Sequence, residues 1–195
     1  IARVKDCVRF ASDKHCAKFI GFLDEGAQNV ACSVSTGGRC AVYKYAGHSD
    51  GQRVMLGFVP NDMPCNEQDF GIKALTIISR STANLTHRDY LGALMSLGIE
   101  REAVGDILCE QGRSVVFLKQ SVCEFVKTSL QKIGNEGVKC VEGASYPLPI
   151  AYSFKQIESV VASTRIDCVV AALCNLSRGT ACELINTGFV SINGF

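Results

Sequence analysis

Tryptophan is absent from the 195 residues, histidine occurs three times and proline four times. No run approaches the roughly 18 to 20 apolar residues that a membrane-spanning helix needs. The first stretch carries five cations and no apolar block, so it lacks the pattern of a secretory signal. The eleven cysteines include no C-x-x-C pair, and three histidines are few to complete a tetrahedral zinc site, so no metal is expected. There is no G-x-x-x-x-G-K-[ST], no H-E-x-x-H and no G-x-S-x-G, and Gly37-Gly38 lacks the spacing of a dinucleotide fingerprint. No cofactor is expected. An excess of one charge is missing too: the formal net charge is +1, so bulk electrostatics does not announce a nucleic-acid partner.

What is present is an ordinary globular balance, 47% hydrophobic and 20% charged with 18 glycines. Several cysteines sit in apolar runs, Cys109 in "DILC" and Cys140 in "VKCV", where the thiol behaves as a small hydrophobe. Buried structural thiols fit a cytoplasmic chain. Charge is uneven along the sequence. Residues 1–19 carry five cations against two anions, and 20–71 carry three against six. The basic start is either a pointer to an anionic partner or a solvated helix face.

Two stretches with two prolines each, 59–71, also rich in Asn and Asp, and 143–153, divide the chain into three parts. We expect a small α+β domain at 1–68, a second domain at 69–146 and a third part at 155–195. In the first, residues 3–19 suit a helix, and "CAVYKYAG" and "RVMLGFVP" suit a strand pair. In the second, "IKALTIIS" reads as a strand, residues 87–97 as a helix, and "GDILCE" and "RSVVFLK" as a hairpin through Gln111-Gly112. The spacing of Val122, Phe125, Val126, Leu130 and Ile133 predicts a second helix, and "GVKCVEG" a last strand. The order β-α-β-β-α-β predicts a ferredoxin-like split βαβ sheet with both helices on one face. The other face of such a sheet is often where RNA or a ligand binds.

The stretch "LTHRDYLGALMSLGIEREAVGDIL", 85–108, opens on a His-Arg-Asp triplet. Thr86 and Asp89 are spaced as a capping box, and Leu85 and Tyr90 as a hydrophobic staple, which accounts for Asp89 structurally. His87 and Arg88 then fall in the first helical turn, where free amides favour an anion. They either make a phosphate contact or are two exposed polar residues. Base, nucleophile and orienting group do not stand together anywhere, so no catalytic residue is assigned and the chain is expected not to be an enzyme.

The third part predicts two short helices at a steep angle and then a strand in "FVSIN". Thr164 and Asp167 are spaced as a second capping box, which puts Arg165 in one first turn. Ser177 is the next N-cap and puts Arg178 in the other, while Gly188 ends that helix. Two arginines at neighbouring helix starts form either a phosphate site or a surface pair. Asn193-Gly194 is a strong hairpin signal with only Phe195 after it, and the first residue is Ile; sequence beyond both ends is expected.

These residues resemble a known family. "TRIDCVVAALCNLSRGTACELINTGFVSIN" is similar to the start of the RNA-binding module named after ribosomal protein S-four, through Arg165-Ile166-Asp167, Ser177-Arg178, Ala181, Leu184-Ile185, Gly188, Val190, Ile192 and Asn193. The run from His87 to Leu108 looks like the signature of the YlmH family of bacterial RNA-binding proteins, in which a central domain precedes this module. The likeness covers residues 85–195. It implies RNA contacts at Arg165, Ser177, Arg178, Thr180, Glu183 and Asn186. It also implies ribosomal RNA or tRNA as partner, association with the large ribosomal subunit and a link to cell division. Asn186 stands where a basic residue is usual and Gly179 softens its helix start, both of which lower the expected affinity. The alternatives are an RNA-modifying enzyme of the pseudouridine synthase kind carrying the same module, and a DNA-binding helix-turn-helix regulator.

Overall fold

Val4, Cys7, Val8 and Ala11 recur at three- and four-residue spacing, and they give helix α1 (Ala2–Lys14) one buried face. The helix stops short of the expected residue 19, because His15 takes a positive φ of 48° and Lys18 already starts strand β1 (Lys18–Leu23). Asp24 caps helix α2 (Glu25–Cys32) by accepting from the Ala27 amide at 2.9 Å. Strands β2 (Cys40–Tyr45) and β3 (Val54–Pro60) are the expected pair, antiparallel from Cys40↔Pro60 to Tyr45↔Met55. Sheet order is β1-β3-β2. All seven residues of β3 are buried. This computed structural model describes residues 2–34, 36–80, 84–150 and 156–190. The chain divides into two units, Ile1–Ala151 and Tyr152–Phe195.

The first unit continues with β4 (Ile72–Ile78), α3 (His87–Ser96), β5 (Val104–Glu110), β6 (Arg113–Lys119) and α4 (Gln120–Ser129). A two-residue pair, β7 (Lys132–Ile133) and β8 (Glu136–Gly137), precedes β9 (Lys139–Glu142). The sheet order β5-β6-β4-β9, antiparallel throughout, is the split βαβ arrangement expected from the sequence. Tyr90 and Leu94 of α3 and Cys123 and Val126 of α4 share one core with Leu75, Ile77, Val116 and Leu118, so both helices lie on the same face.

The opposite face is not open. Leu108, Val115 and Phe117 pack with Phe22, Met55 and Phe70, and Ala74 lies against them. The expectation of a free sheet face is therefore corrected: the amino-terminal sheet covers it. The contact is built at two β-bulges. Between Ile20 and Leu23 and between Val104 and Ile107 one strand carries an extra residue against its partner. Each bulge contains a glycine: a Cβ on Gly105 would come within 2.6 Å of the Phe22 ring, and one on Gly21 within 2.4 Å of the Glu102 carbonyl oxygen. The segments expected at 1–68 and 69–146 thus both contribute to a shared apolar layer inside the first unit.

In the second unit, α5 (Ile166–Cys174) and α6 (Arg178–Asn186) bend by 112° about Asn175, which takes φ 52°. Gly188, with φ 76°, ends α6 as expected. Of the expected strand "FVSIN", Phe189 and Val190 are not in a strand, and residues 191–193 lie outside the described residues, as does the Asn193-Gly194 turn. Among the described residues no single helix is long and apolar enough to cross a membrane.

Candidate nucleic-acid interface

Ser177 caps α6, its hydroxyl accepting from the Thr180 amide at 3.1 Å, and Arg178 is the first helical residue. The expected Thr164–Asp167 box does not form. Helix α5 begins one residue later with Arg165 as N-cap, which moves Asp167 out of the box position. Asp167 does something else. Its carboxylate is 7% exposed and takes Arg165 Nε at 3.1 Å on one oxygen. On the other it takes Arg178 Nη2 at 2.7 Å and Nε at 3.2 Å. Arg178 first, then Arg165, hold the Asp167 pKa down to about 2 against its ordinary 3.8. The two guanidinium side chains remain 71% and 61% exposed. One carboxylate therefore neutralises one of two charges and orients both forks at the starts of two helices. A net positive charge and spare N–H donors face solvent.

Thr180, Glu183 and Asn186 are exposed along one side of α6 at three-residue spacing, with Ala181 buried on the other. The structure therefore places Ser177, Arg178, Thr180, Glu183 and Asn186 on a single helix, and Arg165 joins them through Asp167. Asp167 is the residue that sequence reasoning missed as part of this site. The R-x-D spacing was the available signal, and capping was the competing use for the same carboxylate.

His87 and Arg88 belong to the first unit and start α3, as expected. The capping box closes there: Asp89 accepts from the Thr86 amide at 2.8 Å and the Thr86 hydroxyl at 2.7 Å. The Thr86 bonds hold the Asp89 carboxyl below the ordinary range. His87 and Arg88 are both exposed, but they differ in use. Protein packed against His87, then the Arg101 charge, push its pKa below the ordinary value, with Asp106 partly opposing. Arg88 lines a groove of about 470 Å³ with Lys132, Ser96 and Gly134. Arg88 brings a full charge to this helix start, and His87 an imidazole N–H donor.

A polar cluster escaped the sequence altogether. Asp106, turned by the β5 bulge toward the amino-terminal sheet, accepts from the Gln52 amide at 2.7 Å and the Arg53 amide at 3.1 Å. His48 Nε2 lies 3.1 Å from the same carboxylate, and its ring stacks on Phe117 with centroids 4.5 Å apart. Burial alone would raise the Asp106 pKa; the bonds from His48, Gln52 and Arg53 outweigh it and lower the value. The arrangement has the look of a base and its orienting acid. Ser49, the neighbouring hydroxyl, donates to Asp50 at 3.2 Å.

Residues 65–145 match the sequence family described as "Putative RNA-binding domain in YlmH". Over 188 residues the chain is 24% identical to the "Ribosome-associated protein quality control protein P2" of Bacillus subtilis (strain 168), covering 95% of this chain and 73% of that protein. Its fold resembles the solved structure of "Cell division protein ylmH from Streptococcus pneumoniae". That likeness has a TM-score of 0.64 and 21% identity, and covers 73% of this chain and 88% of the other. The family match spans β4 through β9, the split βαβ sheet itself, and takes in the His-Arg-Asp helix. The resemblance read from that helix and the sheet behind it therefore holds, and over residues 65–145 this chain is similar to the RNA-binding domain described for YlmH.

Proposed function

We propose that this chain is a non-enzymatic RNA-binding protein that associates with the ribosome. Its partner is structured ribosomal RNA or tRNA at the large subunit, in the cytoplasm, with no membrane, metal or cofactor involved. The observation that carries the reading is the Arg165–Asp167–Arg178 cluster. Two exposed forks are oriented by one covered carboxylate at the amino-terminal ends of two helices, where free amides and helix dipoles also favour phosphate. The names of the matched family and of the Bacillus relative, an RNA-binding domain and a ribosome-associated protein, agree with it.

The RNA-modifying alternative needs a catalytic carboxylate free to act. Asp106 and Asp167 are the buried carboxylates among the described residues, and each is already engaged by several donors. The DNA-regulator alternative has one observation in its favour: a 112° bend with a short turn lies in the helix-turn-helix range. Binding of structured RNA, single-stranded RNA and duplex DNA, each at two salt concentrations, separates the three. Preference for structured RNA supports the proposal. Equal or tighter binding to duplex DNA, or turnover of a bound RNA base, overturns it.

A further inference from the structure

Arg113 of β6 braces the chain after β9. Its Nη1 donates to the Ser145 carbonyl at 3.0 Å and the Ser145 hydroxyl at 2.8 Å, and its Nη2 to the Pro147 carbonyl at 2.8 Å. Thr76 adds a second brace: its hydroxyl donates to the Gly143 carbonyl at 2.7 Å and accepts from the Ser145 amide at 3.0 Å. Between these pinned residues Tyr146 stands 75% exposed. A large aromatic side chain held in water by a rigid backbone is uncommon, because burying it would be favourable. Tyr146 does not cap the core. It forms one wall of a cleft of about 500 Å³.

The other walls come from the end of β2 and the loop after it: Lys44, Tyr45, His48 and Ser49, with Glu67 opposite. The floor is preorganised. His48 is 7% exposed and its ring is fixed by the stack on Phe117 and by Asp106 at Nε2. The Asp106 carboxylate can only accept, so the proton on the His48 ring sits at Nε2 when the ring is neutral, and Nδ1 remains an acceptor. Gly51 keeps the loop tight against this pair, for a Cβ there would meet the Ala46 Cβ at 2.0 Å and Asp106 Oδ2 at 3.2 Å. The cleft thus combines an aromatic wall, acceptors for donor edges at His48 and Glu67, and one cation, Lys44. Its size suits one planar heteroaromatic group rather than a duplex.

We propose that this cleft binds a single unpaired RNA nucleotide, with the base stacked on Tyr146, its edge read by His48 and Glu67, and its phosphate at Lys44. Recognition of unpaired bases works in this way, by stacking on an aromatic face beside a cation with hydrogen bonds to the base edge. The inference rests on the RNA-binding reading and gives it a second site with different chemistry, since the arginine cluster recognises phosphate and the cleft recognises a base.

The test uses the full chain and a short single-stranded RNA carrying 2-aminopurine, with the same strand in a duplex as comparison. Tyr146→Ala is expected to weaken single-strand binding about five- to a hundredfold, with the salt slope unchanged because stacking releases no counterions. Tyr146→Phe keeps the ring and is expected to bind like the parent. Adenosine monophosphate alone should shift the His48 imidazole resonances, and Tyr146→Ala should abolish that shift. Full affinity in Tyr146→Ala, or no response of His48 to the mononucleotide, overturns the cleft even if structured RNA still binds. No binding of structured RNA, with single-strand binding and the mononucleotide response intact, overturns the ribosomal reading and leaves the cleft standing. Displacement of the mononucleotide by an aromatic peptide but not by RNA assigns the cleft to protein and overturns it as an RNA site.

Discussion

Arg178 donates to Asp167 through both Nε and Nη2, at 3.2 and 2.7 Å, so an arginine open to a phosphate is also the main partner of a covered carboxylate. Binding and folding are coupled at this residue. Arg178→Ala should weaken structured-RNA binding about tenfold or more, since a charged hydrogen bond contributes about 1.5 to 3 kcal/mol. The salt slope of log K should fall by about 0.9 for a duplex target, or about 0.7 for a single strand. A surface arginine would leave folding within about 0.5 kcal/mol, but here hydrogen-exchange protection of α5 and α6 should fall as well. Arg178→Lys, which keeps the charge and loses the fork, should retain most of the salt slope and only part of the affinity. Unchanged affinity and slope in the alanine variant would place the RNA elsewhere.

The same carboxylate gives the helix pair an acid limit. Asp167 has its pKa lowered from 3.8 to about 2, so the folded state favours the ionised form. A group depressed in this way adds stability above its unfolded pKa and loses it as pH falls through the folded one. Protection of α5 and α6 should therefore hold steady near neutrality and decline between about pH 4 and pH 2. In Asp167→Asn that decline should be absent. Exchange measured residue by residue across this range checks both.

Asp106→Asn places an amide where a carboxylate accepts from two backbone N–H groups and from His48. Leaving a buried donor without its acceptor costs about 1 to 3 kcal/mol. Denaturant unfolding of the variant should show that loss. The Asp106 pKa is depressed too, so the parent should lose this contribution as pH drops below the ordinary carboxylate range, and the variant should not. An unchanged midpoint would mean that the apolar layer holds the sheets together without the Asp106 bonds.

Two glycines separate packing from backbone freedom. Gly51→Ala would press its Cβ to 2.0 Å from the Ala46 Cβ, an overlap that needs backbone movement, and should cost about 1 to 3 kcal/mol. Gly92, inside α3, has nothing within 4 Å of a built Cβ, so Gly92→Ala should stabilise by about 0.5 to 1 kcal/mol. Denaturation midpoints moving in opposite directions are the expected result; a loss in both would mean that α3 is crowded at Gly92.

The elements legible in the sequence were those decided by neighbours within a few residues. Thr86 and Asp89 lie three apart and close their box; Ser177 caps α6; Gly98 and Gly188 follow their helices with positive φ. The alternation around Gln111-Gly112 determined the hairpin, and the order of elements then left few sheet topologies to choose from. The short strand β1 and helix α2 were hidden because "KFIGFL" is an apolar run that also continues a helical pattern.

Residues brought together from distant parts of the chain were decided by the tertiary structure alone. His48 and Asp106 are 58 positions apart, and nothing local marks either as the other's partner. The sequence could name Leu108, Val115 and Phe117 as apolar, but only the bulges at Gly21–Phe22 and Gly105–Asp106 determine that a second sheet covers them. Asp167 shows the boundary between the two. Its neighbours allow capping or ion pairing, and the choice falls to Arg178, eleven residues on, because the bend between α5 and α6 brings a charged fork within 2.7 Å of a carboxylate already losing its water.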